Sequence, residues 1–382
     1  MTILIAAQSG RALAAAARRA GEDVVVADFF GDLDTRRLAR WLHLPGNLKA
    51  GIERAGLRDA IADVGPLDGI VYGAGFEHDP ALLRDLAGLA PLIGNTPETV
   101  AAAKDPFGLA ALLLRLGLPH PAVAETPSPG IDFLCKRRGG AGGTHIRRAK
   151  ARTVVTKSCY FQAIATGRPL SALFVANGAG ARVVGLSRQW TAPTGAMPFR
   201  YGGCAGPAVV PARLARMIAE ACTALAVSLG LVGLNSLDML VEGDEFTILE
   251  INPRPGATLD VFDGMTRGIP LWEWHRRAVD GELPRASPTL RVGGRAAAIL
   301  YAEEAIEVPP AVHWDNWVAD VPAPRSVISA GAPICTILAE ADDVDAAERL
   351  VRTRSATLRR RLSPCGALFR EPTDAYERHA AG

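Results

Sequence analysis

At 382 residues the chain is too long for one ordinary hydrophobic core, which implies two or three domains. Its 49% hydrophobic and 21% charged residues are those of a soluble globular protein, and a net charge of +2 argues against nucleic acid or an anionic membrane as the main partner. Six cysteines, at 135, 159, 204, 222, 335 and 365, include no CxxC pair, so neither a zinc site nor a disulfide framework is indicated and a cytoplasmic location is expected.

Residues 2–7 are a short apolar run with no basic stretch before it, which reads as a buried strand and not as a secretory leader. Gln8-Ser9-Gly10 turns that strand into a helix over 11–20, and 23–28 (DVVVAD) is a second strand. This βαβ opening predicts a parallel sheet. The first turn lacks GxGxxG, so no dinucleotide site is assigned, and Asp28 reads as a loop cap before it reads as a ribose ligand. Residues 35–62 read as helical, interrupted near Pro45-Gly46; 69–73 is a strand; 82–89 is a helix. The loop Gly73-Ala74-Gly75-Phe76-Glu77 then follows a strand end, where open α/β sheets place ligands.

A second region begins near 95, with Thr96 and Pro97 as a helix start and Lys104 ahead of a helix over 106–116. After a proline-marked linker, the strand 131–136 ends in Lys136 and opens onto Arg137-Arg138-Gly139-Gly140-Ala141-Gly142-Gly143-Thr144-His145. The four glycines read as residues without a packing role, freeing backbone N–H groups for an anion that the neighbouring cations attract. The loop is not a Walker loop, and His145 reads as structural. Strands at 158–163, 171–176 and 182–187 are expected as one antiparallel meander. Arg188 and the run Met197-Pro198-Phe199-Arg200-Tyr201-Gly202-Gly203 fit either a substrate clamp or an ordinary connection. Residues 213–229 form an amphipathic helix ended by Gly230.

The most informative stretch is 234–260, LNSLDMLVEGDEFTILEINPRPGATLD, which reads as strand, turn, strand and loop. A period of two puts Glu250 and Asn252 on one face, and pairing Asp238 with Glu250 brings three oxygen-bearing side chains together. That register calls for a three-residue loop, Gly243-Asp244-Glu245, because a slip of one would turn Asp238 to the other face. Three hard oxygens on one face suit Mg²⁺ and, through it, nucleotide phosphates. A helix over 269–281, strands near 296–301 and 318–320, a turn-plus-strand over 327–339 and a helix over 343–362 complete the chain. The arginines at 352, 354 and 359–361 read as a solvated face, and the tail after 374 as frayed.

Lys104, Lys136 with Gly139, Gly140, Gly142 and Gly143, the segment 160–167, and Asp238 with Glu250, Asn252 and Arg254 occur in an order that resembles the ATP-grasp superfamily of carboxylate–amine and carboxylate–thiol ligases. The resemblance implies an α/β fold, α+β in parts: a Rossmann-like domain over 1–95, an ATP-grasp domain over 96–286 with a lid near 123–185, and a small C-terminal domain over 287–382. It implies that Lys104 and Lys136 contact ATP and that the glycine loop closes over the phosphates. It also implies that Gln162, Ala163 and Ile164 meet the adenine, and that Asp238, Glu250 and Asn252 hold Mg²⁺ or Mn²⁺. Arg254, with Lys136, would stabilise charge on the transferring phosphoryl group. Ala163 departs from the acid many members carry there, but adenine contacts largely to backbone do not depend on it.

The runs FLCKRRGGAGGTHI, PFRYGG and ISAGAPICTILA resemble a branch of carboligases related to biotin carboxylase, associated with tetrahydromethanopterin and methanofuran one-carbon metabolism. The implied reaction, a step of cofactor biosynthesis, joins a carboxylate to an amine, such as an amino acid, through an acyl phosphate. The implied partners are small molecules and, as often in the family, a second copy of the chain. Two alternatives stand beside it: a bicarbonate-phosphorylating carboxylase-like enzyme and a non-catalytic ATP-binding subunit or scaffold.

Overall fold

The structure is a computed structural model that describes residues 2–150 and 156–362; Cys365 and the tail after 374 lie outside them. At the N-terminus four strands run parallel in the order Arg40–His43, Val24–Asp28, Ile3–Ala6 and Gly69–Tyr72. The central pair is apolar on both faces because helices cover both sides, which is why it reads as unbroken hydrophobic runs. Asp28 is fully buried at the end of its strand and accepts from the Gly10 N–H at 2.9 Å, the Gly31 N–H at 2.8 Å and the Trp41 indole at 2.8 Å. It caps loops.

The expected helix over 35–62 is corrected. Helix Leu33–Leu38 gives way to the edge strand Arg40–His43, a short hairpin Gly46–Asn47 with Gly51–Ile52, and helix Arg54–Ala62. Tertiary pairing decides this: Val25 to Asp28 offer a free sheet edge, and Trp41 is fixed by Asp28 and by Arg36 stacked 4.2 Å above its ring.

Helices Pro97–Lys104 and Pro106–Arg115 lead into a lid. Lys104 is the last residue of the first, and Asp105 caps the second by accepting from the Phe107 N–H at 3.2 Å. The lid sheet has the order Val123–Ala124, Cys159–Ala163, Phe133–Arg137, Arg147–Arg148. The strand at 159–163 therefore does not join the meander, as the sequence suggested, because it pairs with Phe133–Arg137 instead. The lid strands lie within 123–163, and the strand from 168 onward belongs elsewhere.

The body of the molecule is an eight-stranded antiparallel sheet. Its order is Glu245–Asn252, Val232–Glu242, Arg168–Asn177, Ala181–Thr191, Tyr201–Gly206, Gly294–Tyr301, Pro333–Ala341 and Val318–Ala319. Helix Ala212–Leu229 lays Leu214, Ile218, Ala221, Cys222 and Leu225 on one face, at the three-to-four spacing the sequence shows. Gly230 ends it in the left-handed conformation, φ 66°. The C-terminal segment keeps a core of its own under helix Val344–Leu362, yet its strands continue the large sheet through Gly203 to Gly206 pairing with Arg295 to Ala298.

A buried polar network joins the N-terminal sheet to the hairpin. Asn95 donates to Asn235 Oδ1 at 2.8 Å and to the Pro253 carbonyl at 2.9 Å, and its own oxygen accepts from the Val232 N–H at 2.8 Å. The Tyr72 hydroxyl donates to the Asn95 carbonyl at 2.7 Å. His275 Nδ1 accepts from the Leu234 N–H at 2.9 Å, leaving Nε2 to donate to the Ile93 carbonyl at 2.9 Å. Burial holds that imidazole down at about 4, so it is neutral at physiological pH.

Candidate active site

The site is built on the hairpin Val232–Glu242 and Glu245–Asn252. Asp238 lies directly opposite Glu250, and Ser236 opposite Asn252, so the three oxygen-bearing side chains share one sheet face. The turn is not the expected three-residue loop. Glu242 pairs with Glu245 around Gly243-Asp244, and the extra residue is absorbed by a bulge at Leu249, between Met239 opposite Ile248 and Asp238 opposite Glu250. A bulge re-aims the side chains beyond it.

Lys104 reaches this face from its helix end. Its Nζ donates to Asn252 Oδ1 at 2.8 Å and to Glu250 Oε2 at 3.4 Å. Asn252 Nδ2 donates to Asp238 Oδ2 at 2.9 Å, and Gln189 Nε2 to Asp238 Oδ1 at 3.4 Å. Lys136 is buried above them on the lid. Burial lowers its pKa and Lys104 adds to that, while Glu250 and Asp238 pull it back up. Burial would raise the Glu250 carboxyl, but Lys104 and Lys136 win and hold it low. Asp238 is raised, first by burial and then by Glu250 across the strand pair.

These residues fit a hard divalent cation. Two half-buried carboxylates repel each other across one strand pair, and an amide oxygen lies beside them. Among the described residues no three His, Cys, Asp or Glu side chains could hold a metal by themselves. Two acids and an amide leave half of an octahedral shell for phosphate oxygens and water, as Mg²⁺ usually keeps several waters and phosphate ligands.

Over this face lies a narrow cleft bounded by Lys104, Gly139, Gly140, His145, Tyr160, Gln162 and Glu250. The glycine loop does have a packing role, a correction to the sequence reading. A Cβ on Gly139 would come within 2.5 Å of the Glu77 carbonyl; one on Gly140 would meet the His145 ring at 2.5 Å; one on Gly143 would collide with the Phe199 carbonyl. Only Gly142 faces open space, and its carbonyl accepts from the Tyr201 N–H at 2.9 Å. The loop is thus seated on the N-terminal domain and on the 199–201 segment. His145 packs against Gly140 and is held neutral, with its pKa pushed down to about 4 by burial.

Gln162 is buried and donates to the Leu249 carbonyl at 3.4 Å. The N–H groups of Ala163 and Ile164 are already taken, by the Ala122 carbonyl at 2.8 Å and the Asp132 carbonyl at 2.9 Å. An adenine edge would therefore have to use other groups of this segment.

Arg254, 8% exposed, is not free in the cleft. Its Nε donates to Glu77 Oε1 at 2.6 Å. Burial alone would raise the Glu77 carboxyl, but Arg254 and then Lys104 hold it down at about 2. Sequence reasoning had singled out the loop carrying Glu77 for its place at a strand end but had given the side chain no partner.

Two of the three suggested substrate residues are corrected. Arg188 faces helix Val344–Leu362, ion-paired with Asp345 at 2.7 Å and Glu348 at 3.1 Å. Arg200 donates to the carbonyls of Ala192 at 2.9 Å and Gly331 at 3.0 Å and stacks 3.7 Å over Tyr301. Tyr201 stays beside the glycine loop through its N–H, which donates to the Gly142 carbonyl. The arginines at 352 and 359–361 are exposed, as the solvated-face reading expects, although Arg352 stacks over Trp190 at 4.6 Å; Arg354 is half-buried and donates to the Leu338 carbonyl at 2.6 Å.

The ATP-grasp domain family matches residues 103–258, which contain Lys104, Lys136, the glycine loop and the whole hairpin. The carbamoyl phosphate synthase large chain of Rubrobacter xylanophilus is 24% identical over 241 residues, 56% of this chain and 22% of that protein. The chain thus spans about a fifth of that relative's length. The biotin carboxylase domain dimer of Hydrogenobacter thermophilus 2-oxoglutarate carboxylase, solved with MgADP, ADP and bicarbonate, superposes with a TM-score of 0.71 at 13% identity. That match covers 92% of this chain and 88% of that one. The N5-carboxyaminoimidazole ribonucleotide synthetase of Thermotoga maritima superposes with a TM-score of 0.67 at 17% identity over 93% and 98%. Residues 103–258 match the ATP-grasp domain family, and the chain as a whole shares the fold of biotin carboxylases.

Proposed function

We propose that this protein is an ATP- and Mg²⁺-dependent ligase that activates a carboxylate as an acyl phosphate and joins it to an amine. The observation that carries the reading is the convergence of Lys104 on Glu250 and Asn252, opposite Asp238, beneath a closed glycine loop. Lys104 and Lys136 would neutralise phosphate charge, and the seated loop would exclude water from the transfer. Asp238, Glu250 and Asn252 would hold Mg²⁺, or Mn²⁺ in its place, which supplies charge neutralisation at the phosphates. Arg254 would stabilise the charge that develops on the phosphoryl group and then on the tetrahedral adduct as the amine attacks and phosphate leaves.

For the finer reading, the resemblance of the FLCKRRGGAGGTHI, PFRYGG and ISAGAPICTILA runs supports a precursor of a one-carbon carrier as carboxylate and an amino acid such as glutamate as amine. The same resemblance supports a homodimer, and six dispersed cysteines without a CxxC pair support a cytoplasmic location; among the described residues no helix is long and apolar enough to cross a membrane.

The fold shared with biotin carboxylases supports a second reading, phosphorylation of bicarbonate. One screen separates the two. ADP release is measured across amino acids, carrier precursors and bicarbonate, and products are identified by mass. A ligase releases ADP only with both acid and amine, a carboxylase-like enzyme with bicarbonate alone, and a scaffold with neither. ADP release unchanged in Glu250→Ala or Arg254→Ala would overturn the assigned roles.

A further inference from the structure

The side chain of Glu77 comes from the N-terminal sheet, on the loop after strand Gly69–Tyr72, and reaches the catalytic loop of the other domain. It is 3% exposed. One oxygen accepts from Arg254 Nε at 2.6 Å; the other accepts from the Gly75 N–H at 2.8 Å, so the carboxylate is itself held in place. The bond to Nε fixes the guanidinium from its side. The terminal nitrogens are left with only a long contact, 3.4 Å from Arg254 Nη1 to the Pro255 carbonyl. Without Glu77 the buried cation would lose its ion-pair partner, and Asp238 is a carboxylate that already feels its charge. An arginine turned onto Asp238 would occupy an oxygen needed elsewhere.

We infer that Glu77 is a positioning residue for Arg254, holding the guanidinium by Nε so that its terminal nitrogens meet the transferring phosphoryl group and not Asp238. The inference rests on the ligase reading. Glu77 also touches the lid, since Gly139 is packed against its backbone carbonyl, so the guanidinium is set against the same residue on which the loop closes.

The test is titration calorimetry of the full chain with MgADP, alone and with aluminium fluoride standing in for the phosphoryl group in transfer. Wild type should bind MgADP and tighten when fluoride is added. Glu77→Gln should keep MgADP affinity within about threefold and lose at least about tenfold of the tightening, the scale of removing one preorganised donor. Glu77→Asp should recover part of the loss, and it carries the test alone if the glutamine variant fails to fold. Full tightening in Glu77→Gln overturns the inference. So does an equal loss of MgADP and fluoride complexes with a lowered melting temperature that Glu77→Asp does not rescue, which marks a merely structural contact. Failure of wild type to bind MgADP is a different outcome and overturns the ligase reading itself.

Discussion

Asp238 faces Glu250 across the hairpin although the turn joining their strands is one residue shorter than that register requires, because Leu249 bulges out of the ladder. The pair is held together against its own repulsion. Burial and the opposite Glu250 raise the Asp238 pKa, so the folded state favours its proton and loses that stabilisation as pH rises. Asp238→Asn should therefore melt at least as high as wild type, by up to about 5 °C, with the gain largest at alkaline pH. ADP formation should fall at least about 100-fold in the same variant, since a cation ligand is lost. Scanning fluorimetry across pH and an ADP assay decide it; a variant both less stable and fully active would contradict the site.

The glycine loop makes a contrast within four residues. Gly142 and Gly143 both have positive φ, 67° and 70°, so alanine strains either by about 1 kcal/mol. Only Gly143 has no room, with the Phe199 carbonyl in the way. Gly143→Ala should weaken MgADP at least about tenfold and expose the lid to limited proteolysis, while Gly142→Ala should change affinity by less than about threefold.

Asn95 is the joint between the N-terminal sheet and the hairpin. Asn95→Ala leaves the Val232 N–H and the Pro253 carbonyl buried without this partner. The expected cost is about 2–4 kcal/mol, read as a shift in urea midpoint without a change in slope. An unchanged midpoint would show that the joint does not hold the hairpin.

Asp32 gives the chain a pH signature away from the site. Burial first, then Asp320, Asp28 and Asp34, push its pKa up to about 8. A raised acid binds its proton more tightly when folded, so its stabilisation is present at low pH and is lost between about 4 and 8. Asp32→Asn should raise the melting temperature by several degrees at pH 9 and by none near pH 4. The opposite trend would mean that Arg11 dominates this cluster.

The acid set of the site was legible because its spacing is local. Glu250 and Asn252 are two residues apart on one strand, and any short hairpin brings Asp238 near them. The bulge was not legible, since a turn with Gly243 closes equally well with two or three residues. The lid glycines were visible as a composition, but what Gly139 and Gly143 abut, Glu77 and Phe199, lies 62 and 56 positions away. Arg200 and Arg188 looked like substrate ligands because a sequence shows a charge without its partner.

By itself the sequence determined the periodic features: a parallel opening sheet, the long helix Ala212–Leu229, the shared face of Glu250 and Asn252, and the order of lysine, glycine loop and hairpin. Local geometry imposes those patterns, with a period of two or of three to four. Tertiary structure alone decided that Arg40–His43 is a strand, that the strand at 159–163 belongs to the lid, and that the C-terminal strands prolong the large sheet. It alone joined Arg254 to Glu77, 177 residues apart. A buried charge takes whichever opposite charge the packed domains deliver to it, and no spacing along the chain records that meeting.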